Sequence, residues 1–365
     1  MKTAHKIYAA LAILAILAGG LYLIATQNNK EKAKHTVTAA SADLPSVSLP
    51  KDDADKLTKI EVTTIDKDDK SKKLPVTLEK KGDAWEVTSP VEAKANTANV
   101  KSLIDNLKDI KTKEVIDPNR SSYDQYDVSD DKAVHVVAWK GADKVDDLYF
   151  GKSGTRGQMV RVAGRDGVFI AEKYSGYLYT RELKRWRDGS ILNFDDANAI
   201  QVDVTNKNGR FSFSKNGDKW SASLEKRDKD GKLGKPEKEW KKFDESKVKD
   251  LLRAFKVLNA DDFGEAKDLA ASGVDKAEEN GGVVHIKLKD NAGDLVLKVG
   301  KMAKGTTRWA VKGGSDILYA ITPWSSDWAI AEPSKFEKSD DKKTPPPVPT
   351  NPHAGMQGMN DGVEE

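Results

Sequence analysis

Two histidines stand in matching strand-like settings, His135 between Val134 and Val136 and His285 between Val284 and Ile286. An imidazole repeated in this way could ligate a metal or trade protons near neutral pH. Each lies between β-branched residues, however, and so points to the opposite face from its neighbours. Neither has a second His or a carboxylate at ligand spacing, so both read as surface or edge histidines. The stretch Gly151 to Gly157, GKSGTRG, offers Gly, Lys and Ser in the order of a phosphate loop. That loop needs a further Gly five residues upstream of Gly151, where Asp146 stands, and a carboxylate there would repel phosphate. Its counterpart, Gly300 to Gly305, lacks the hydroxyl, so the shared element reads as a turn between strands.

Asp228, Asp230 and Glu239 occupy the first, third and twelfth positions of a calcium loop, but Lys232 sits at a ligand position and Leu233 where Gly is needed. His353, Met356 and Met359 could offer soft ligands to Cu(I), yet on a Pro- and Gly-rich tail they read as chance members of a flexible segment. The acid pairs Asp68 with Asp69 and Asp146 with Asp147 alternate with lysines and read as solvated loops. Trp139, Tyr174, Tyr177 and Tyr179 could stack on a sugar ring, although aromatics of this kind more often build a core. With no cysteine, thiolate chemistry, disulfides and a lipoprotein anchor are excluded. No nucleophile elbow, zinc helix or dinucleotide fingerprint occurs. No catalytic, cofactor-binding or metal residue is therefore assigned, and the expectation is a protein that is not an enzyme.

The elements that would position such residues are written twice. Leu78 to Trp85, LEKKGDAW, aligns without a gap to Phe213 to Trp220, FSKNGDKW, and a Gly-Asp pair between alternating apolar runs predicts a hairpin in each. A helix follows in each copy, with Val100, Leu103, Ile104, Leu107 and Ile110 matching Val248, Leu251, Leu252, Phe255 and Leu258 on one stripe. Asn96 or Thr97 can cap the first, and Asp244 or Ser246 the second. Strands then return. Val134 to Val136 aligns with Val284 to Ile286, Leu148 to Lys152 with Leu297 to Lys301, and Met159 to Ala171 with Arg308 to Ala320. Trp186 and Phe194 close the first copy as Trp328 and Phe336 close the second. Because strands cluster in runs, the class is α+β: two tandem homologous modules of antiparallel strands with one or two packed helices each, preceded by a single transmembrane helix. Glu225 to Lys241 has no counterpart in the first copy and reads as an exposed loop.

The boundaries follow from composition. Residues 1–6 form a short cytoplasmic start and 7–25 an anchor. Ile7 to Ala25 is unbroken by charge and at 1.5 Å per residue spans about 28 Å, close to the hydrocarbon thickness of a bilayer. Residues 26–55 read as a polar spacer, 56–196 and 197–337 as the modules, and 338–365 as a disordered tail. The layout predicts an uncleaved signal anchor, with the modules on the periplasmic side of a bacterial inner membrane. Basic residues number 61 and acidic residues 58, so no field recruits nucleic acid.

With the anchor ahead of it, the tandem pattern of Ile60–Val62, Leu78–Asp117, Tyr126–Val128, Leu148–Lys152 and Val168–Ala171 resembles the bacterial domain of unknown function DUF4340 over Lys56 to Phe336. The resemblance implies an envelope protein encoded beside ABC transporter components of the gliding-motility type, with an accessory or assembly role and no catalytic residues to carry over. The second copy departs from the pattern, with Ser272, Gly273 and Val274 in place of Tyr126, Asp127 and Val128. The expected function is thus a membrane-anchored, extracytoplasmic binding or scaffold protein that partners transporter subunits. The alternatives are an envelope glycan-binding protein or a hydrolase of envelope polymers.

Overall fold

The computed structural model describes residues 44–237 and 240–338. The expected anchor at 7–25, Glu239 of the calcium-loop pattern, and the tail with His353, Met356 and Met359 lie outside the described residues. Among the described residues no helix is long and apolar enough to cross a membrane. The chain divides between Gly189 and Ser190 into two units, each built on a large antiparallel sheet with a few helices.

The first unit runs β1 (Lys59–Ile65), β2 (Lys73–Lys81), β3 (Ala84–Ser89), β4 (Ala93–Lys94), helix α1 (Thr97–Asp109), β5 (Lys111–Asp117), β6 (Val134–Lys140), β7 (Asp143–Gly154), β8 (Gly157–Val162) and β9 (Val168–Glu172). Its strands lie in the order β4-β3-β2-β1-β6-β7-β8-β9-β5. The second unit runs β10 (Ser190–Asn193), β11 (Ala199–Asn206), β12 (Gly209–Asn216), β13 (Lys219–Glu225), α2 (Ser246–Phe255), β14 (Val257–Asn259), β15 (Asp262–Phe263), β16 (Gly282–Leu288), β17 (Asp294–Met302), β18 (Arg308–Lys312), β19 (Tyr319–Ile321) and α3 (Pro323–Ala329). Its sheet has the order β13-β12-β11-β16-β17-β18-β19-β15, the same path without a counterpart of the short edge strand β4.

In both sheets the opening meander ends at one edge, and the first strand of the same sheet after the long helix, β5 in the first and β15 in the second, lies at the opposite edge, so the helix must bridge the two. An amphipathic stripe suits it for that path. Val100, Leu103 and Leu107 of α1 are buried, as are Val248, Leu251, Leu252 and Phe255 of α2; each buried side chain contributes about 1.5–3 kcal/mol. The Asn96 side chain accepts a hydrogen bond from Asn99 N at 3.0 Å and caps α1. Asp244 Oδ1 accepts from Ser246 N at 3.0 Å at the start of α2. The hairpins turn on Gly82 and Gly217, both at φ 62°. A Gly with positive φ at the first of two turn positions matches the twist of the flanking strands.

The strand registers shift part of the sequence alignment. Ile60 faces Leu78 and Val202 faces Phe213, which makes Thr63 and Thr205 counterparts. Thr63 pairs with His135, but Thr205 pairs with Val283, and His285 sits opposite Asp203. The two histidines are therefore two residues out of step and are not equivalent. A slip of two leaves every side chain on its own face, which is why Val-His-Val and Val-His-Ile align so readily. The next stretch slips by one. Phe150 faces Val160 and Val299 faces Ala310, so Met159 corresponds to Trp309 and not to Arg308.

The ends of the units also move. Asn96 N donates to Trp186 O at 2.7 Å, and Asp244 N donates to Phe336 O at 2.9 Å, so Trp186 and Phe336 are the matching residues. Phe194 packs against the second core, and its N–H donates to Lys256 O at 2.9 Å. The spacer expected over 26–55 is, where described, part of the first core. Val47, Leu49 and Ala54 are buried, Leu49 N donates to Leu107 O at 3.0 Å, and Ser48 Oγ donates to Ile110 O at 2.5 Å. β10, with buried Ile191 and Leu192, fills the same role in the second unit. The insertion expected as an exposed loop over Glu225 to Lys241 carries Trp240 inward, where it packs on Phe211, Phe243 and Phe336 and donates from Nε1 to Glu337 Oε1 at 2.9 Å.

The paired Gly-Lys motifs lie within strand ends, β7 and β17, and not in turns. A Cβ at Gly151 would stand 2.2 Å from Tyr126 O, and one at Gly300 would stand 2.2 Å from Ser272 O. The following Lys N–H donates to that same carbonyl, at 3.0 Å for Lys152 and 2.7 Å for Lys301. The residues after those carbonyls, Asp127 and Gly273, take φ 56° and 70°. Both motifs thus exist because each glycine lets a left-handed turn press its backbone onto the sheet.

Candidate functional site

The apolar face of the first sheet runs on past its helical cover. Along β1 and β2, Val62 and Val76 face each other and are buried, and one pair further Thr64 faces Leu74, which is 38% exposed. Val134 opens β6 on the same face, two residues before buried Val136. Pro90 and the segment Thr180–Leu183 wall this strip, leaving a groove of 650 Å³. That size is typical of ligand pockets, which are mostly apolar with a few placed polar groups.

Charge is gathered at its rim. Lys67, Lys73 and Lys132 stand with Asp66, Asp68 and Glu182 around the mouth. Asp66 is committed to its own turn, accepting from Asp68 N at 2.9 Å and Asp69 N at 3.2 Å, and these bonds hold its carboxyl below the usual range. Lys67 and Glu182 meet at 3.8 Å, an exposed pair of the kind that contributes little and opens readily. Arg181, in the wall, differs. Its Nη1 reaches only carbonyls, Asn99 O at 3.3 Å and Leu178 O at 3.4 Å, and the guanidinium lies over the Trp186 ring at 5.4 Å. Among the described residues no carboxylate pairs with it, and burial lowers its pKa.

The second unit closes the same place. Asn206 corresponds to Thr64, Gly209 to Leu74 and Gly282 to Val134, because Asn206 faces both glycines in its ladders. Arg181, five residues before Trp186, corresponds to Ala331, five before Phe336. Asn206 Nδ2 donates to Ala329 O and to Ala331 O, both at 2.9 Å, and a Cβ on Gly282 would stand 2.0 Å from Ala329 O. Two large apolar side chains are absent there, and the closing segment has settled onto the sheet. The shared fold does not require an open groove at this point.

The residues singled out in the sequence do not meet there. His135 Nε2 lies 2.7 Å from Asp147 Oδ1 on the outer face of the first sheet, its ring stacked on Tyr149 at 3.9 Å. The carboxylate that sequence spacing hid comes from the neighbouring strand. Although burial opposes it, bonds from His135 and Lys144 hold Asp147 below the usual carboxylate range. His285 Nε2 contacts Asp294 in the same way. Asp146 and Asp147 belong to β7 and are not loop residues. Asp146 Oδ2 is buried without a partner, and burial pushes its carboxyl up to about 7. Tyr179 is fully buried, stacked with Tyr174 at 4.8 Å and tilted against Phe150 at 5.1 Å. Lys59 Nζ covers the ring of Trp139 at 3.8 Å, and Tyr177 is exposed. The four aromatics do not form one platform. Asp228 Oδ1 accepts from Asp230 N and Lys232 N, each at 2.9 Å, and so closes a loop on itself. Among the described residues no group of three His, Asp or Glu could hold a metal.

A domain of unknown function, DUF4340, matches residues 85–277, which is more than half of the chain and runs from Trp85 in the first unit to Ala277 in the second. No curated protein and no solved structure matches.

Proposed function

We propose that this chain, which belongs to the DUF4340 family, is a non-catalytic binding protein tethered to a bacterial inner membrane, with two homologous modules on the periplasmic side. Its first module binds through the open groove, and its second serves as a closed structural counterpart. The observation that carries this reading is the contrast at one topological position: Leu74 and Val134 line a 650 Å³ groove, where in the second module Gly282 lies under the docked Ala329 and Gly209 under the Glu225 carbonyl. A feature kept open in one copy and shut in the other is not a by-product of the fold. The tether rests on Ile7 to Ala25, an uncharged apolar run long enough to span.

The transporter role rests on the family resemblance, and in it the chain is an accessory subunit that contributes binding and not turnover. A pull-down with the full chain in native membranes tests both parts. Recovery of ABC transporter subunits that is lost on Leu74→Asp and kept on Ser221→Asp supports the reading. Recovery that is indifferent to the groove, or the absence of transporter subunits, overturns it.

A further inference from the structure

The groove's own surfaces choose among ligand classes, on the reading that it is the binding site. An extended peptide would dock by adding a strand to the edge of β2, where residues 73–76 lie beyond the last pair with β3, Thr77 with Ser89. That edge is blunted. Asp66 N donates to Lys72 O, so hydrogen-bonded pairs in the β1–β2 ladder fall on 66 with 72 and 64 with 74. Pro75 therefore occupies a non-bonded position, with its ring nitrogen turned outward where an added strand would seek an N–H. A ligand that asks for no backbone hydrogen bonds loses nothing here.

We infer that the groove takes a single acyl chain ending in an anion, a long-chain carboxylate, with the chain along Leu74, Val76 and Val134 and the carboxylate on Arg181. Charge complementarity favours the anion. Arg181 is the wall cation without a carboxylate partner among the described residues, and its planar fork matches a carboxylate in two parallel bonds. The mouth itself is balanced, with Lys67 paired to Glu182, Lys73 to Asp131 and Lys132 to Asp124, so Arg181 and not the rim holds the anion. The apolar strip has room for methylenes but offers few polar side chains, so the chain binds by area alone.

The test uses the full chain in neutral vesicles, photolabelled with a diazirine analogue of a sixteen-carbon carboxylate and with the matching alcohol. The expected result is saturable labelling of the peptides around Leu74, Val134 and Thr180–Leu183. Competing carboxylates should gain about fourfold in affinity per added methylene until the groove is full. Arg181→Gln should weaken the carboxylate about tenfold and leave the alcohol unchanged, while Arg181→Lys, which keeps the charge but loses the fork, should restore only part of the affinity. Leu74→Asp, at a half-exposed position that the fold tolerates, should abolish both. Equal labelling by acid and alcohol in the parent chain, labelling that Leu74→Asp does not change, or competition by anionic vesicles alone would overturn the inference. If carboxylates fail while partner recovery still depends on Leu74, the ligand class is wrong and the groove reading stands.

Discussion

Asn206 is fastened to Ala331: its side-chain amide donates to that carbonyl at 2.9 Å and to Ala329 at the same distance. The pair shuts in the second module what Thr64 and Arg181 leave apart in the first. Replacing Asn206 by Ala removes two hydrogen bonds and takes the side-chain donor from the Ala329 carbonyl, while Ala331 keeps the Asn208 amide at 3.1 Å, at a cost of about 1–3 kcal/mol. Hydrogen exchange, which reads each module separately, should show lost protection in β11, β16 and the segment after α3. Protection in β1 and β6 should be unchanged.

Gly151 and Gly300 test whether the Gly-Lys motifs are packing devices. Gly151→Ala would drive its Cβ against the Tyr126 carbonyl, and Gly300→Ala against that of Ser272. Each should destabilise its module by about 2–4 kcal/mol, since backbone has to move. Lys152→Ala should cost about 0.5 kcal/mol, because an exposed amine contributes little. Denaturant unfolding of the three variants checks the ranking. A motif built for phosphate would show the reverse, with Lys152 critical to binding.

Asp146 makes stability depend on pH. Its folded pKa of about 7 stands above the unfolded value of 3.8. Between those values the unfolded chain has released a proton that the folded chain keeps, so stability falls as pH rises through this window and levels off above pH 7. The ceiling is on the order of 2–4 kcal/mol. Asp146→Asn should raise the unfolding midpoint at pH 8 and change little at pH 4. Equal effects at both pH values would remove burial of the charge as the cause.

Much of the fold was legible because its signals are local. The Gly82 and Gly217 hairpins and the stripes of Val100 to Leu107 and Val248 to Phe255 follow from turn chemistry and helical spacing alone. Register was not. Val-His-Val and Val-His-Ile align on a two-residue period that preserves the face, so sequence could not see that His135 is the counterpart of Val283 and not of His285. Ser46 to Leu49 alternates polar and apolar residues as an edge segment does, a signal outweighed by the neighbouring prolines. The groove was hidden for a deeper reason. It is defined by Leu74 and Val134 standing where the second copy has Gly209 and Gly282, a difference that appears only once the ladders fix the equivalences.

The chain has no cysteine, so one introduced thiol reports on one place. Leu74→Cys and Ser221→Cys, each carrying a short photo-crosslinker, compare the open groove of the first module with the exposed outer edge of the second. In native membranes the account predicts a discrete crosslinked partner from position 74, suppressed by Val134→Asp, and none from position 221. Crosslinking of equal yield from both positions, or from neither, would contradict the claim that the first module's groove is where this protein binds.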